Sequence, residues 1–273
     1  MNVALDAVLA TAAASDEGEA ILGALPADAR AQVASLRFLA ETASTQADAL
    51  ATALPGYGCA LVLADRQSAG QGRRGRPWIS PPGANLYLSL SRRFAHPLAS
   101  LGGLSLAAGV AVVEALHALG VGEAGLKWPN DVLAGERKLG GLLVNLRSDG
   151  ANSAAVVGLG LNLHIPADAG AAIDQPWCDL ASLGHDIARA QVAAVVIAHL
   201  VEVLAQFDAA GFEPFIARWD RHDMFRGREV RIVDGADEAI GTVLGIDAFG
   251  ALRMRVAGSE RRFHGGELGL RPA

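Results

Sequence analysis

From Leu36 onward, short apolar runs alternate with turn residues along the chain. The runs Leu36–Leu39, Cys59–Ala64, Asn85–Leu90, Lys138–Leu146 and Ala154–Asn162 have the length and spacing of β-strands. Two segments have helical length and spacing instead: Leu104–Leu119, stopped at Gly120, and Gln191–Phe207, stopped before Gly211. They are expected to cover one face of the sheet. Strand and helix do not alternate regularly, which argues for an α+β fold around a central mixed β-sheet and against a doubly wound parallel sheet. After Trp219 the texture changes to short strands at Glu229–Val233, Ala239–Ile246, Leu252–Val256 and Arg261–Gly265, punctuated by Gly235, Gly250 and Gly258, which read as a small β-barrel. Before Leu36 the chain is alanine-rich with Asp16, Glu17, Glu19 and Pro26, and reads as short helices or a loosely docked arm. The expected division is an arm over 1–35, a main domain over 36–225 and a C-terminal domain over 226–273.

Composition narrows the function classes. With 273 residues, 51% of them hydrophobic, the chain is long enough to bury roughly three-quarters of its unfolded surface. The formal net charge of −6 argues against a chain that binds nucleic acid over its whole surface. The segment before Leu36 is also too short for a winged-helix domain, so no DNA partner is expected. Cys59 and Cys178 lie far apart and outside any C-x-x-C pattern, so neither a disulfide framework nor a structural zinc site is indicated, and a reducing cytoplasm is expected. Asp6 interrupts the stretch where a signal peptide would need its apolar centre, so no secretion signal is expected. Phe94 to Val113 lacks formal charges but contains His96, Pro97 and three glycines; it reads as a loop and a buried helix, and no membrane partner is expected.

Charge is distributed unevenly, and this points to chemistry. No Asp or Glu occurs between Arg66 and Val113, whereas Arg66, Arg73, Arg74, Arg76, Arg92 and Arg93 all fall there. Gly70, Gly72 and Gly75 match the G-x-G-x-x-G dinucleotide fingerprint in letter. A dinucleotide turn must open a helix, however, and Pro77, Pro81, Pro82 and Gly83 follow at once. An anion is expected at this loop, because glycines allow close backbone approach and arginine forks suit phosphate or carboxylate oxygens. The same residues also fit a solvated basic hairpin, and Trp78 fits either stacking on a nucleobase or packing on the core.

The stretch QSAGQGRRGRPWISPPGANLYLSL, Gln67 to Leu90, closely resembles the glycine–arginine loop and following strand of the biotin–protein ligases. KWPNDVLAGERKLGGLL, Lys127 to Leu143, resembles that family's second signature, and VVGLGLNL, Val156 to Leu163, its third. ETASTQ, Glu41 to Gln46, is similar to the family's biotin-contacting turn, and Gly227 to Arg271 resembles its small SH3-like domain. The resemblance implies a biotin- and ATP-binding catalytic domain over 36–225 and an SH3-like domain over 226–273. It implies a ligase that makes biotinyl-5'-AMP from biotin and ATP with Mg²⁺, then passes biotin to a lysine of a biotin carboxyl carrier domain. A homodimer is compatible with it. Residue by residue, it implies that Ser44, Thr45, Gln46, Gln67, Gly70, Gln71, Gly72, Arg73, Lys138 and Gly141 meet biotin. It further implies that Arg73, Arg76, Trp78, Lys127, Asn130, Asp131 and Asn162 meet ATP or the adenylate. Arg73, Lys127, Lys138 and Asp131 are the implied catalytic groups, with Asp131 also the candidate metal ligand and base.

Taken alone, Trp128-Pro129-Asn130-Asp131 reads as a turn, since proline presets its φ and Asn and Asp bond their own backbone. The chain departs from the commonest family pattern at Gln71, often arginine, at Gln46, often asparagine, and at Asn145, often an acid. The absence of a DNA-binding segment before Leu36 implies a monofunctional ligase. The rival is a lipoate-type ligase, whose Arg-Arg-x-Ser-Gly-Gly-Gly loop does not occur in the chain. A non-enzymatic anion-binding module would use the arginines without needing Lys127 or Lys138.

Overall fold

The structure, a computed structural model, describes residues 15–52, 58–234 and 237–270. Residues 1–14 of the expected N-terminal arm, the turn at Gly235 and the terminal residues from Arg271 lie outside the described residues. The rest of the arm forms two short helices, α1 (Asp16–Ala24) and α2 (Ala27–Ala31). Ser15 caps α1 by accepting the Gly18 N–H at 3.1 Å, and Asp16, Glu17 and Glu19 sit in its first turn, where the helix dipole favours acids. Ile21, Leu22 and Leu25 are buried, so α1 is docked on the core.

The chain continues through β1 (Val33–Thr42), α3 (Thr45–Ala51), β2 (Cys59–Gln67), β3 (Asn85–Phe94) and α4 (Leu104–Ala118). Next come β4 (Ala124–Lys127), β5 (Asp131–Ala134), β6 (Arg137–Asp149), β7 (Asn152–Asn162) and the single turn α5 (Ala167–Gly170). Two helices, α6 (Arg189–Ala210) and α7 (Glu213–His222), lead to β8 (Glu229–Asp234), β9 (Asp237–Ile246), β10 (Leu252–Val256), β11 (Ser259–Phe263) and β12 (Glu267–Leu270). The first seven strands form one mixed sheet in the order β1-β2-β3-β7-β6-β5-β4, with β1 and β2 parallel and the other pairs antiparallel. The last five form an antiparallel sheet in the order β11-β10-β9-β8-β12, which fits the small SH3-like unit expected at this end.

All nine expected strands and both expected helices are present, the last of the strands at Ser259–Phe263 in place of Arg261–Gly265. Sequence periodicity does not reveal β4, β5, α3, α7 or β12. The four-residue strands are too short to show a period, and α7 starts at Glu213-Pro214 with few apolar residues. The string Trp128–Asp131 is indeed a turn, with a cis peptide at Pro129, and it joins β4 to β5.

Side-chain alternation sorts the central strands into two faces. Leu86, Leu88 and Leu90 of β3 and Val157, Leu159 and Leu161 of β7 enter one apolar core with α4 and α6. Burying each such side chain contributes on the order of 1.5–3 kcal/mol. Helix α4 is apolar almost all round, with Leu104, Ala107, Ala108, Val112 and Leu116 buried, as expected of a helix enclosed in a core. Leu98–Ala118 and α6 are each long and apolar enough to cross a membrane, but here they pack on one another and on the sheet, mostly buried. On the opposite face, Ala49 of α3 packs on Val62 of β2 and Val156 of β7.

The chain leaving α7 pairs with the edge strand β4: Met224 N–H donates to Leu126 O at 3.0 Å, which covers an otherwise open edge. Asp223 stands at this junction. Its Oδ1 accepts the Phe225 N–H at 2.9 Å, while Oδ2 is buried without a hydrogen-bond partner among the described residues. Burial pushes its pKa up to about 6 from the ordinary 3.8. A raised acid pKa means that between about pH 4 and pH 6 the native state holds a proton the unfolded chain releases, so stability falls as pH rises through that window. Asp223→Asn keeps the Oδ1 acceptor and removes the charge. It is expected to stabilise the protein by on the order of 1–3 kcal/mol at about pH 8 and by much less near pH 4, measured by urea unfolding.

Candidate active site

The sheet face opposite α4 and α6 carries small or polar residues at its centre: Ser89 of β3, Gly141 of β6, and Gly158, Gly160 and Asn162 of β7. Register places Ser89 opposite Gly158, and Gly141 opposite Gly160. The result is a trough. With its walls it forms a cavity of ≈ 550 Å³, bounded by the start of α3, the hairpin over 71–79, the β4–β5 turn and a segment after α5. Every residue implied by the resemblance lines this cavity except Gly70. Gly70 instead closes the hairpin base, its carbonyl accepting the Trp78 N–H at 2.9 Å. The glycine–arginine loop is a tight hairpin in which Gly72 N–H donates to Arg76 O at 2.8 Å. Arg74 and Gly75 adopt positive φ at its tip.

One end of the cavity is polar and nearly neutral. Ser44 caps α3, accepting the Ala47 N–H at 3.4 Å. Gln67 Oε1 accepts the Thr45 backbone N–H at 2.9 Å, and Gln67 Nε2 donates to Ser80 Oγ at 3.3 Å. Gln46 turns into the sheet, where its Nε2 donates to Asn145 Oδ1 at 2.8 Å and approaches the carbonyls of Val156 at 3.1 Å and Leu143 at 3.2 Å. Its amide is therefore engaged by the protein.

The other end is cationic. Arg73 donates to Asn130 Oδ1 at 3.2 Å, and Asn130 donates to Leu142 O at 2.7 Å, so the guanidinium is braced across the β4–β5 turn. Lys138 Nζ lies 2.8 Å from Asp131 Oδ1. Lys127, the cross-strand partner of Asp131, reaches over the Phe225 ring at 5.7 Å. Asn162 donates to Cys178 O at 3.0 Å and buttresses the wall beside Lys138. The six arginines of the acid-free stretch do not act together. Arg66 pairs with Glu41 at 3.6 Å and Arg92 with Asp208 at 3.7 Å, and neither lines the cavity, whereas Arg73, Arg74 and Arg76 do. Charge counting does not resolve this, because position in a strand decides which way a side chain points. Among the described residues no three His, Cys, Asp or Glu side chains are grouped to hold a metal ion.

Trp78 is placed otherwise than a free stacking platform. Its ring lies on the trough floor: a Cβ at Gly160 would come within 2.4 Å of the indole, and Lys138 Nζ is 5.5 Å from the ring centroid. Its indole N–H is buried without a hydrogen-bond partner among the described residues. Two walls escape sequence reading. The segment Ala172–Gln175 with Trp177 lines the cavity, tied to Lys138 by backbone bonds from Lys138 N–H to Pro176 O and from Cys178 N–H to Lys138 O, both 2.9 Å. Gly266 and Leu268 reach it from the C-terminal sheet. Neither stretch carries a period or a motif, although a lone tryptophan in the polar run Asp174–Asp179 is a usable sign. The glycine lane of β7, by contrast, was visible as alternation in VVGLGLNL.

Residues 45–162 match the Biotin/lipoate A/B protein ligase family, and residues 225–270 match the Biotin protein ligase C terminal domain. The two matches define the class, the biotin/lipoate protein ligases. The Biotin--[acetyl-CoA-carboxylase] ligase of Paracoccus denitrificans is 36% identical over 80% of this chain and 93% of its own length. The Bifunctional ligase/repressor BirA of Escherichia coli is 39% identical over 77% of this chain, which spans 66% of that relative. The biotin protein ligase from Aquifex aeolicus in complex with biotin and ATP superposes with a TM-score of 0.72 at 28% identity, covering 87% of this chain and 99% of that one. The chain belongs to the biotin–protein ligase family.

The trough makes one local prediction. Gly160→Ala leaves no room for the Trp78 indole, so it should move that ring toward solvent and shift Trp emission to longer wavelength, with far-UV circular dichroism unchanged. The same substitution made in Trp78→Phe should leave the emission where it is; an equal shift in both backgrounds would show that Trp78 is not the ring displaced.

Proposed function

We infer that this chain is an ATP-dependent biotin–protein ligase, which forms biotinyl-5'-AMP and pyrophosphate from biotin and ATP and then transfers biotin to a lysine of a biotin carboxyl carrier domain. The observation that carries the reading is the polarity of the cavity: a near-neutral hydrogen-bonding end at Ser44, Thr45 and Gln67 joined by a glycine trough to Arg73, Lys127 and Lys138. A bicyclic urea with an apolar ring and a carboxylate tail needs that order of surfaces, polar anchors within an otherwise apolar pocket. The division into a catalytic unit over 36–225 and a C-terminal unit over 226–273 is part of the proposal. So is a reducing cytoplasmic setting, in keeping with the buried free thiols of Cys59 and Cys178.

In the first step a biotin carboxylate oxygen attacks the α-phosphorus, the new P–O bond forms, and the bond to pyrophosphate breaks. No protein nucleophile is needed. Arg73 and Lys138 align the carboxylate and neutralise charge growing on the phosphate oxygens, each already held by a neighbour, so little reorganisation accompanies the reaction. In the second step the carrier lysine attacks the acyl carbon, AMP leaves, and the amine gives up a proton. That amine must first be neutral, although its ordinary pKa is about 10.4. Asp131 is the proposed acceptor, since it lies beside both Lys138 and Lys127.

Asp131 also fits Mg²⁺, but only one that arrives with the triphosphate, because magnesium commonly takes one or two carboxylates and completes its shell with phosphates and water. Bound there, it would neutralise phosphate charge. Asp174 is the other carboxylate lining the cavity among the described residues.

Incubation with ATP, Mg²⁺ and either biotin or lipoate, followed by mass spectrometry, tests the reading. Biotinyl-adenylate and a biotinylated carrier domain are expected, and a lipoyl-adenylate formed in their place would overturn it. Lys138→Ala should slow adenylate formation by about a hundredfold, the scale of losing one preorganised cation or donor, while the fold is kept; a wild-type rate in the soluble variant would remove Lys138 from the mechanism. Arg73→Gly loses the guanidinium braced on Asn130 and loosens the hairpin over the mixed anhydride. It should release adenylate faster and biotinylate bystander lysines, and unchanged retention would show that the hairpin does not guard the intermediate.

A further inference from the structure

Beneath the polar end of the cavity runs a chain of hydrogen bonds whose direction is fixed by chemistry. Gln46 Nε2 faces three acceptors, Asn145 Oδ1, Val156 O and Leu143 O, so the amide cannot be turned over without setting oxygen against oxygen. Its Oε1 consequently points at Ser89 Oγ, 3.0 Å away, and can only accept. Ser89 is fully buried and has one proton, which goes to Gln46. It must therefore accept from Thr45 Oγ1, 2.9 Å away on its other side. Thr45 also has one proton, now committed to Ser89, although Gln67 Oε1 lies 3.2 Å off. That oxygen is already held by the Thr45 backbone N–H at 2.9 Å.

We propose that Gln46 is a positioning residue which, through Ser89, fixes the Thr45 hydroxyl as a hydrogen-bond acceptor toward the cavity, so that the site selects a ligand presenting an N–H there. The proposal rests on reading the cavity as the biotin pocket. It assigns a role to Gln46 other than the ligand contact implied by resemblance: its amide touches the protein, and its effect passes through two hydroxyls. Gly158 is the complement of this arrangement, since a Cβ there would lie 2.4 Å from Gln46 Oε1 and expel the side chain that orients the chain of bonds.

The remaining polar groups complete the selection. Ser44 Oγ accepts from Ala47 N–H and keeps its own proton for a ligand carbonyl. Gln67 Nε2 donates to Ser80 and has a second proton to offer. Donors at Ser44 and Gln67 beside an acceptor at Thr45 match a cyclic urea, a carbonyl flanked by N–H groups. They mismatch a ring that carries an oxygen where Thr45 expects an N–H.

That difference is the test. KM and kcat for adenylation are measured by pyrophosphate release, with biotin and with the two cyclic carbamates in which one ureido N–H is replaced by a ring oxygen. Wild type, Gln46→Leu and Ser89→Ala are compared. Wild type should prefer biotin over one of the carbamates by about tenfold or more in KM, the effect of setting a buried acceptor against an acceptor. Gln46→Leu leaves Ser89 without its acceptor, so Ser89 turns its proton to Thr45, and the Thr45 proton, released from Ser89, is shared between Gln67 Oε1 at 3.2 Å and the cavity. Ser89→Ala frees the Thr45 proton directly; it removes one oxygen and adds no bulk, and it decides the matter where Gln46→Leu does not fold. In both variants the preference should fall to within about threefold, with the loss toward biotin in KM and not in kcat. Folded variants that keep the wild-type preference, including variants weakened toward all three ligands in equal proportion, overturn the relay alone. A wild-type protein that does not adenylate biotin overturns the function it rests on, and the relay with it.

Discussion

Everything about this site depends on the two-residue alternation of β3, β6 and β7. A side chain every second residue points into the core, and the ones between point to the face that carries the cavity. In β7 the inward set is Val157, Leu159 and Leu161 and the outward set is Gly158, Gly160 and Asn162. In β3 the same split gives Leu86, Leu88 and Leu90 against Tyr87, Ser89 and Ser91. A strand that loses side chains on one face loses packing there, and glycine in a strand interior weakens it further. The arrangement holds because the other face is fully covered by α4 and α6, whose apolar residues are buried almost without exception where they meet the sheet. The concavity is thus the stripped side of a sheet whose stability comes from the opposite side.

Polar groups on the stripped face cannot be left to themselves, since a buried donor or acceptor without a partner is costly. The protein resolves this differently at the two ends. At the neutral end, hydroxyls and amides bond one another in a chain, leaving a few defined protons and lone pairs for a ligand. At the cationic end, Arg73 leans on the neutral amide of Asn130 and Lys138 on the charge of Asp131. Asp131, 2.8 Å from Lys138 Nζ and across the strand pair from Lys127, reduces the mutual repulsion of the two lysines.

This division explains which parts were legible in the sequence. Alternation shows as letters, so β3 and β7 could be read from NLYLSLS and VVGLGLNL, and β6 from its apolar run Lys138–Leu146. The helices α4 and α6 could be read because each is long and apolar enough to show a period. Resemblance brought together residues from four separate segments, and the structure gathers all but Gly70 around one cavity. What remained hidden depends on direction or on partners far along the chain. Composition does not tell that Arg66 and Arg92 face Glu41 and Asp208, or that Gln46 turns toward Asn145, ninety-nine positions away. The stretch Ala172–Trp177 was hidden for another reason: its order comes from backbone bonds to Lys138 and not from any period of its own.

The C-terminal sheet belongs to the same logic. The cationic end of the trough opens at the β4–β5 side, where the strands are only four residues long. The β4–β5 turn is secured from outside: Trp128, buried, donates its indole N–H to Gly250 O at 3.1 Å, and Lys127 lies over Phe225 in the connecting chain. Arg226 pairs with Asp220 and Arg228 with Glu136, so the connection is bound to α7 on one side and to the β5–β6 turn on the other. Gly266 and Leu268 then supply wall that the short strands do not. Loosening the C-terminal unit would therefore disturb Lys127, Asn130 and Asp131 before it disturbed Ser44 or Thr45, because the first three stand on the turn it braces and the last two stand on α3, at the far side of the sheet.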